Sequence, residues 1–134
     1  MASNAVESLD TNIVLRLLLQ DNLDHFDRAL KLMERPDVTY VISDVVMLEV
    51  VFVLTNMHIS RQDIVGALTR IMMRPNVKAN RHIFTDVFFI YLDHPKLSFA
   101  DCYLAVEAAL NGAEPLWTFD RKLAGQVEVA KLVE

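Results

Sequence analysis

Apolar residues run along this chain in short blocks, separated by caps, prolines and charged turns, and the blocks alternate between strand-like and helix-like patterns. Val6–Leu9 has apolar ends and stops at Asp10. It reads as a first strand, although Glu7 and Ser8 interrupt the apolar run expected of a strand buried in a parallel sheet. Asn12–Leu19 reads as a helix. Asp21–Arg35 follows, with Leu23, Phe26, Leu30 and Met33 near the helical period, and Pro36-Asp37 breaks it. Val38–Ile42 is a short β-rich second strand. Ser43-Asp44 is a helix N-cap signal ahead of a helix from Val45 to about Met57, and Ser60 caps another from Arg61 to Arg74, ended by Pro75-Asn76. Val77–Ala79 fits a short edge strand. Asn80 opens a helix to about His94, Ser98 starts one that closes at Asn111-Gly112, and Leu116–Phe119 forms a strand that meets Asp120. A short helix from Arg121 to about Gly125 and a strand at Val127–Leu132 complete the order.

Strands alternating with helices predict an α/β fold: a three-layer arrangement with a parallel sheet and helices on both faces. At 134 residues the chain reads as a single domain, and 53% hydrophobic content is enough for a core. The longest apolar region, Val41–Leu54, is broken by Asp44 and Glu49 and falls short of a membrane span of about 20 residues. No secretion signal is read in the first residues, and the one cysteine, Cys102, excludes an internal disulfide and fits a small buried side chain in a reducing cytoplasm. Phe84, Phe88 and Phe89 exceed what one helical stripe needs, and fit either core packing or an interface between copies.

The acids change the picture. In an open α/β sheet, ligands bind beyond the carboxyl ends of the strands. Asp10 and Asp120 each follow a strand directly, Glu49 lies early in the helix after the second strand, and Asp101 lies in the first turn of the helix before the Leu116–Phe119 strand. With right-handed crossovers, all four are expected at one rim. Each has a bland explanation as well: Asp10 and Asp120 as caps, and Asp101 in a capping box with Ser98. Glu49 is the single charge inside an apolar run, and a buried unpaired carboxylate is costly. Four carboxylates in one pocket repel each other; a divalent cation reverses that, and hard oxygen donors select Mg²⁺ or Mn²⁺. His25, His58, His82 and His94 are scattered without zinc-ligand spacing.

One or two such ions suit hydrolysis of a phosphodiester. The formal charge of −5 argues against a nucleic-acid partner when taken alone, but with the four site acids set aside, 14 acids remain against 13 bases. Arg16, Arg121 and Lys122 are candidate phosphate contacts, or solvated surface charges. Thr11 and Thr118 stand beside site acids and fit orienting a ligand or water, whereas Asn12 fits an ordinary cap role.

Leu-Asp-Thr-Asn at 9–12, Leu-Glu at 48–49, Leu-Ser-Phe-Ala-Asp at 97–101 and Leu-Trp-Thr-Phe-Asp-Arg at 116–121 together resemble the PIN domain, the metal-dependent ribonuclease fold of the VapC-type toxins. The resemblance implies a parallel sheet of order 3-2-1-4-5 and a Mg²⁺- or Mn²⁺-dependent endoribonuclease acting on RNA. It further implies Asp10, Glu49, Asp101 and Asp120 as catalytic and metal-binding residues, a homodimer, and a cognate antitoxin protein that blocks the site. The alternatives are a nuclease of the same fold acting in RNA processing, and a non-catalytic interaction module. A phosphoacceptor receiver domain wants an acid pair and a late lysine that the chain lacks. A haloacid-dehalogenase phosphatase wants a second acid where Asn12 stands.

Overall fold

The computed structural model describes residues 5–134; the amino-terminal stretch read as lacking a secretion signal begins outside them. The chain falls into two compact units, residues 1–80 and 81–134.

In the first unit, β1 (Ala5–Ser8), β2 (Val38–Val41) and β3 (Val77–Lys78) form a parallel sheet of order β1-β2-β3. Ala5 stands opposite Val38, and Tyr40 opposite Val77. Helices α1 (Thr11–Leu19) and α2 (Leu23–Met33) connect β1 to β2, and α3 (Asp44–Asn56) and α4 (Arg61–Met72) connect β2 to β3. Parallel neighbours need such crossovers. The side chains of Val14, Met33, Tyr40, Met47, Val50 and Leu68 are fully buried and make the core. Helix boundaries follow the caps: the side chains of Asn22, Ser43 and Ser60 accept from the backbone N–H three residues on. Asp44 is therefore the first helical residue and Ser43 is the cap.

The polar interruption in β1 has a partner 28 residues away. Arg35 grips Glu7 with both guanidinium nitrogens, at 3.0 and 2.9 Å, and the hydrogen bonds and charge of Glu7 raise the Arg35 pKa above its ordinary value. Within the sheet of this unit β1 pairs with β2.

In the second unit, α5 (Arg81–Asp93) and α6 (Phe99–Leu110) pack together, and β4 (Leu116–Thr118) pairs in parallel with β5 (Ala130–Leu132) across α7 (Arg121–Gln126). Phe84 and Phe88 are buried; Phe84 stacks on Phe99 at a centroid distance of 6.0 Å, and Phe88 meets Phe99 at 6.1 Å in a tilted arrangement. Tyr91 meets Phe99 edge-on at 5.1 Å, a favoured aromatic geometry. Phe84 and Phe88 are thus core residues; of the three phenylalanines noted from sequence, Phe89 alone points outward. Cys102 is buried as expected. Helix α6 closes at Asn111, followed by Gly112 at φ +64°, a left-handed conformation that glycine adopts without strain. The last strand starts three residues later than the apolar run suggests, because its pairing begins where Ala130 faces Leu116. The strand orders within the two sheets agree with the 3-2-1 and 4-5 portions of the expected topology. Among the described residues, no helix is long and apolar enough to cross a membrane.

Candidate active site

Two of the four sequence-picked acids, Asp10 and Glu49, lie in the first unit. Asp10 follows β1 and caps α1: its Oδ1 accepts from the Ile13 N–H at 3.0 Å. The cap role read from sequence is real, but it occupies one carboxylate oxygen. Thr11, the first residue of α1, donates its hydroxyl to Glu49 Oε2 at 2.7 Å. This bond ties the turn after β1 to α3. Glu49 is exposed rather than buried. Helix α3 is apolar almost all round, so its pattern could not show which side faces out, and the reasoning from burial cost does not apply.

Asp101 and Asp120 lie in the second unit. Ser98 caps α6 by accepting from the Asp101 N–H at 3.1 Å. The other half of a capping box is absent: the Asp101 carboxylate takes no hydrogen bond or ion pair among the described residues. Asp120 Oδ1 accepts from the N–H groups of Lys122 at 2.8 Å and Leu123 at 3.4 Å, capping α7. Thr118 Oγ1 accepts from the Asp120 N–H at 2.9 Å and fixes the turn out of β4.

The remaining candidates divide. Arg16 pairs with Asp21 at 2.7 Å, which satisfies a guanidinium proposed for phosphate. Its partner sits five residues on, beyond the left-handed turn at Gln20, a contact that helical spacing does not reveal. Asn12 is exposed and lines a cleft between α1 and α2 with Ile13, Arg16, Asn22 and His25. Arg121 and Lys122 are exposed and form no ion pair among the described residues. Sequence reading passed over the aromatic residues Trp117 and Phe119, which are exposed on either side of Thr118.

Among the described residues, each of the four acids keeps at least one carboxylate oxygen without a hydrogen-bond partner: Oδ2 of Asp10 and Asp120, Oε1 of Glu49, and both oxygens of Asp101. These are hard donors of the type that Mg²⁺ and Mn²⁺ select. Among the described residues, no three His, Cys, Asp or Glu side chains are grouped closely enough to hold a metal ion. Within the first unit, the contact made is between Glu49 and Thr11, the residue that follows Asp10 in sequence.

The PIN domain family model matches residues 8–129. The chain belongs to the PIN domain family. The match takes in both compact units and all four acids. Among solved structures, this PIN domain is similar to a toxin–antitoxin complex from Klebsiella pneumoniae, at 22% identity over 96% of each chain and a TM-score of 0.35. It is also similar to a VapBC complex from Rickettsia felis bound to a fragment of promoter DNA, at 17% identity over 96% of this chain and 97% of that one, with a TM-score of 0.39. A third is a VapC toxin of Mycobacterium tuberculosis described as cleaving the sarcin–ricin loop, at 19% identity over 92% and 98% of the two chains and a TM-score of 0.40. No curated protein matches the sequence.

In this PIN domain, Thr11 is placed to orient Glu49. Thr11→Val keeps the shape and removes the donor. We expect it to lower the turnover of any Glu49-dependent reaction by about 10- to 100-fold, the usual cost of losing a partner that orients a site residue. Thr11→Ser should restore it. Steady-state kinetics on the three proteins, with KM separated from kcat, is the check.

Proposed function

We propose that this PIN domain is a Mg²⁺- or Mn²⁺-dependent endoribonuclease, the toxin of a toxin–antitoxin pair, with Asp10, Glu49, Asp101 and Asp120 as its catalytic and metal-binding acids. Residues 1–134 act in this reading as one PIN domain with the sheet order 3-2-1-4-5. The carrying observation is that the family model matches residues 8–129 while, among the described residues, each of the four motif acids has a carboxylate oxygen with no hydrogen-bond partner. Asp101 supports the reading most, since its carboxylate takes no hydrogen bond or ion pair among the described residues.

Asp10, Glu49, Asp101 and Asp120 would hold the divalent cation, which when bound would make water more acidic and would offset the charge of the phosphodiester. The chain's own residues do the rest. The bonds to Asp10 Oδ1 and Asp120 Oδ1 lock those side chains against rotation, so the free Oδ2 atoms are presented in one orientation. Thr11 does the same for Glu49 through Oε2. Arg121 and Lys122, free of carboxylate partners, neutralise backbone phosphates of a bound RNA. A cognate antitoxin inhibits by laying an Arg or Lys against the acids, replacing the cation's charge with charge-assisted hydrogen bonds. A homodimer in the cytoplasm completes the proposal.

The test is cleavage. Purified protein, freed of bound partner, should cut single-stranded or looped RNA when Mg²⁺ or Mn²⁺ is present and stop when a chelator is added, with activity returning on metal readdition. Cleavage that persists unchanged in chelator would end the metal-dependent reading.

A further inference from the structure

A cavity of the first unit carries positive charge that no acid lining it answers. It encloses about 240 Å³ between α1, α2 and α4. Leu17, Phe26, Leu30 and Ile71 supply apolar walls, and Gln20, Arg70 and Arg74 are the polar residues there. Arg70 is in the last turn of α4, and Arg74 follows its C-cap, Met73. Neither arginine takes part in an ion pair among the described residues. Arg74 goes further. Its Nε is shut off from water and has no hydrogen-bond partner among the described residues. A buried donor left unpaired is costly, and two guanidinium groups on one cavity repel each other. The negative end of α4 attracts both, but exposed cations serve a helix end equally well and do not call for a buried Nε.

We infer that this cavity binds a small organic acid, a carboxylate on one short apolar body. Arginine forks match a carboxylate through two parallel N–H···O bonds, and an acceptor against Arg74 satisfies the orphan Nε. The apolar walls call for a hydrocarbon body, which an inorganic anion lacks. The volume lies just below the roughly 300–1,000 Å³ of sites for drug-sized ligands, so the body is short. The inference stands apart from the ribonuclease reading. It uses none of the four acids, and binding is read without cleavage.

Hexanoate is the probe. Full-length protein labelled with ¹⁵N is titrated with it, and the Nε–H signals of Arg70 and Arg74 are followed by NMR beside the backbone signals of Leu17 and Ile71. These signals should move together and saturate, with the Arg74 Nε–H proton shifting downfield as it gains an acceptor. Hexanol should bind about 10- to 100-fold more weakly, the worth of a hydrogen bond to a charged group. Inorganic phosphate and hexylammonium should leave the signals in place. Arg74→Met keeps a long side chain and removes the orphan donor. It should melt no lower than wild type without ligand, and bind hexanoate at least about tenfold more weakly. Arg70→Gln, at an exposed position, should weaken binding likewise and covers the case in which Arg74→Met does not fold. The proposal is overturned if hexanoate leaves the arginine signals unmoved, if hexanol or phosphate binds as well, or if neither variant weakens binding. It is overturned too if Arg74→Met folds but melts well below wild type, since the guanidinium is then engaged within the protein. A peptide of alternating leucine and glutamate that moves the signals where hexanoate does not has the same consequence.

Discussion

Asp101→Asn should remove metal-dependent RNA cleavage, by about a hundredfold or more, while leaving the folded protein almost as stable as before. The two halves of this expectation have separate causes. The carboxylate makes no hydrogen bond or ion pair among the described residues, and α6 is capped by Ser98 through the Asp101 backbone, which the substitution keeps. The stability at risk is the attraction between an acid and the positive end of the helix, about 0.3–1 kcal/mol. The chemistry at risk is a full negative charge among the proposed metal donors, and an amide is a far poorer partner for a hard divalent ion. Rates with Mg²⁺ and with Mn²⁺, beside a thermal melt of each protein, check both. A variant that cuts as well as wild type would remove Asp101 from the site and expose any contaminating nuclease. Asp10→Ala is a less clean probe. It also deletes the cap bond to Ile13, which is worth about 0.5–2 kcal/mol, whereas Asp10→Asn keeps a good cap and removes only the charge.

Caps are local, and this is why so much of the helical order could be read from the chain. Ser43, Ser60 and Ser98 each bond the residue three along, a spacing visible without any tertiary structure. Asp10, Asp101 and Asp120 drew notice for the same reason, since each stands at or just inside the start of a helix, whereas Glu49 drew notice as the one charge inside an apolar helix. What could not be read depends on partners far apart in sequence. Glu7 looked like a defect in β1 because Arg35 answers it from the end of α2. Glu49 looked buried because α3 is apolar on nearly every side, and only its bond to Thr11, 38 residues away, shows which way it faces. Leu116–Phe119 reads as a strand, and Trp117 and Phe119 in it are exposed; composition cannot separate an aromatic residue that fills a core from one that does not.

The phenylalanines of α5 put that last distinction to the test. Phe84→Ala should destabilise the protein by about 3–5 kcal/mol, the range for deleting a buried aromatic ring. Phe89→Ala, five positions on, should change stability by no more than about 0.5 kcal/mol. Phe84 is 0% exposed and touches Phe88, Phe99 and Tyr103, with centroids 5.7–6.3 Å away. Removing it leaves a cavity in a five-ring cluster of Phe84, Phe88, Tyr91, Phe99 and Tyr103, where close packing makes a lost ring costly. Phe89 is 72% exposed and leaves no void. Equilibrium denaturant unfolding of the two variants, compared with wild type at equal m-values, measures the difference. The outcome also bears on assembly. If Phe89→Ala instead lowers stability substantially, and does so in a way that depends on protein concentration, then Phe89 is buried against a second copy in solution. The outward ring of α5 would then belong to the homodimer rather than to a free surface. A small, concentration-independent effect at Phe89 beside a large one at Phe84 leaves the helix with one working face, directed inward on Phe99.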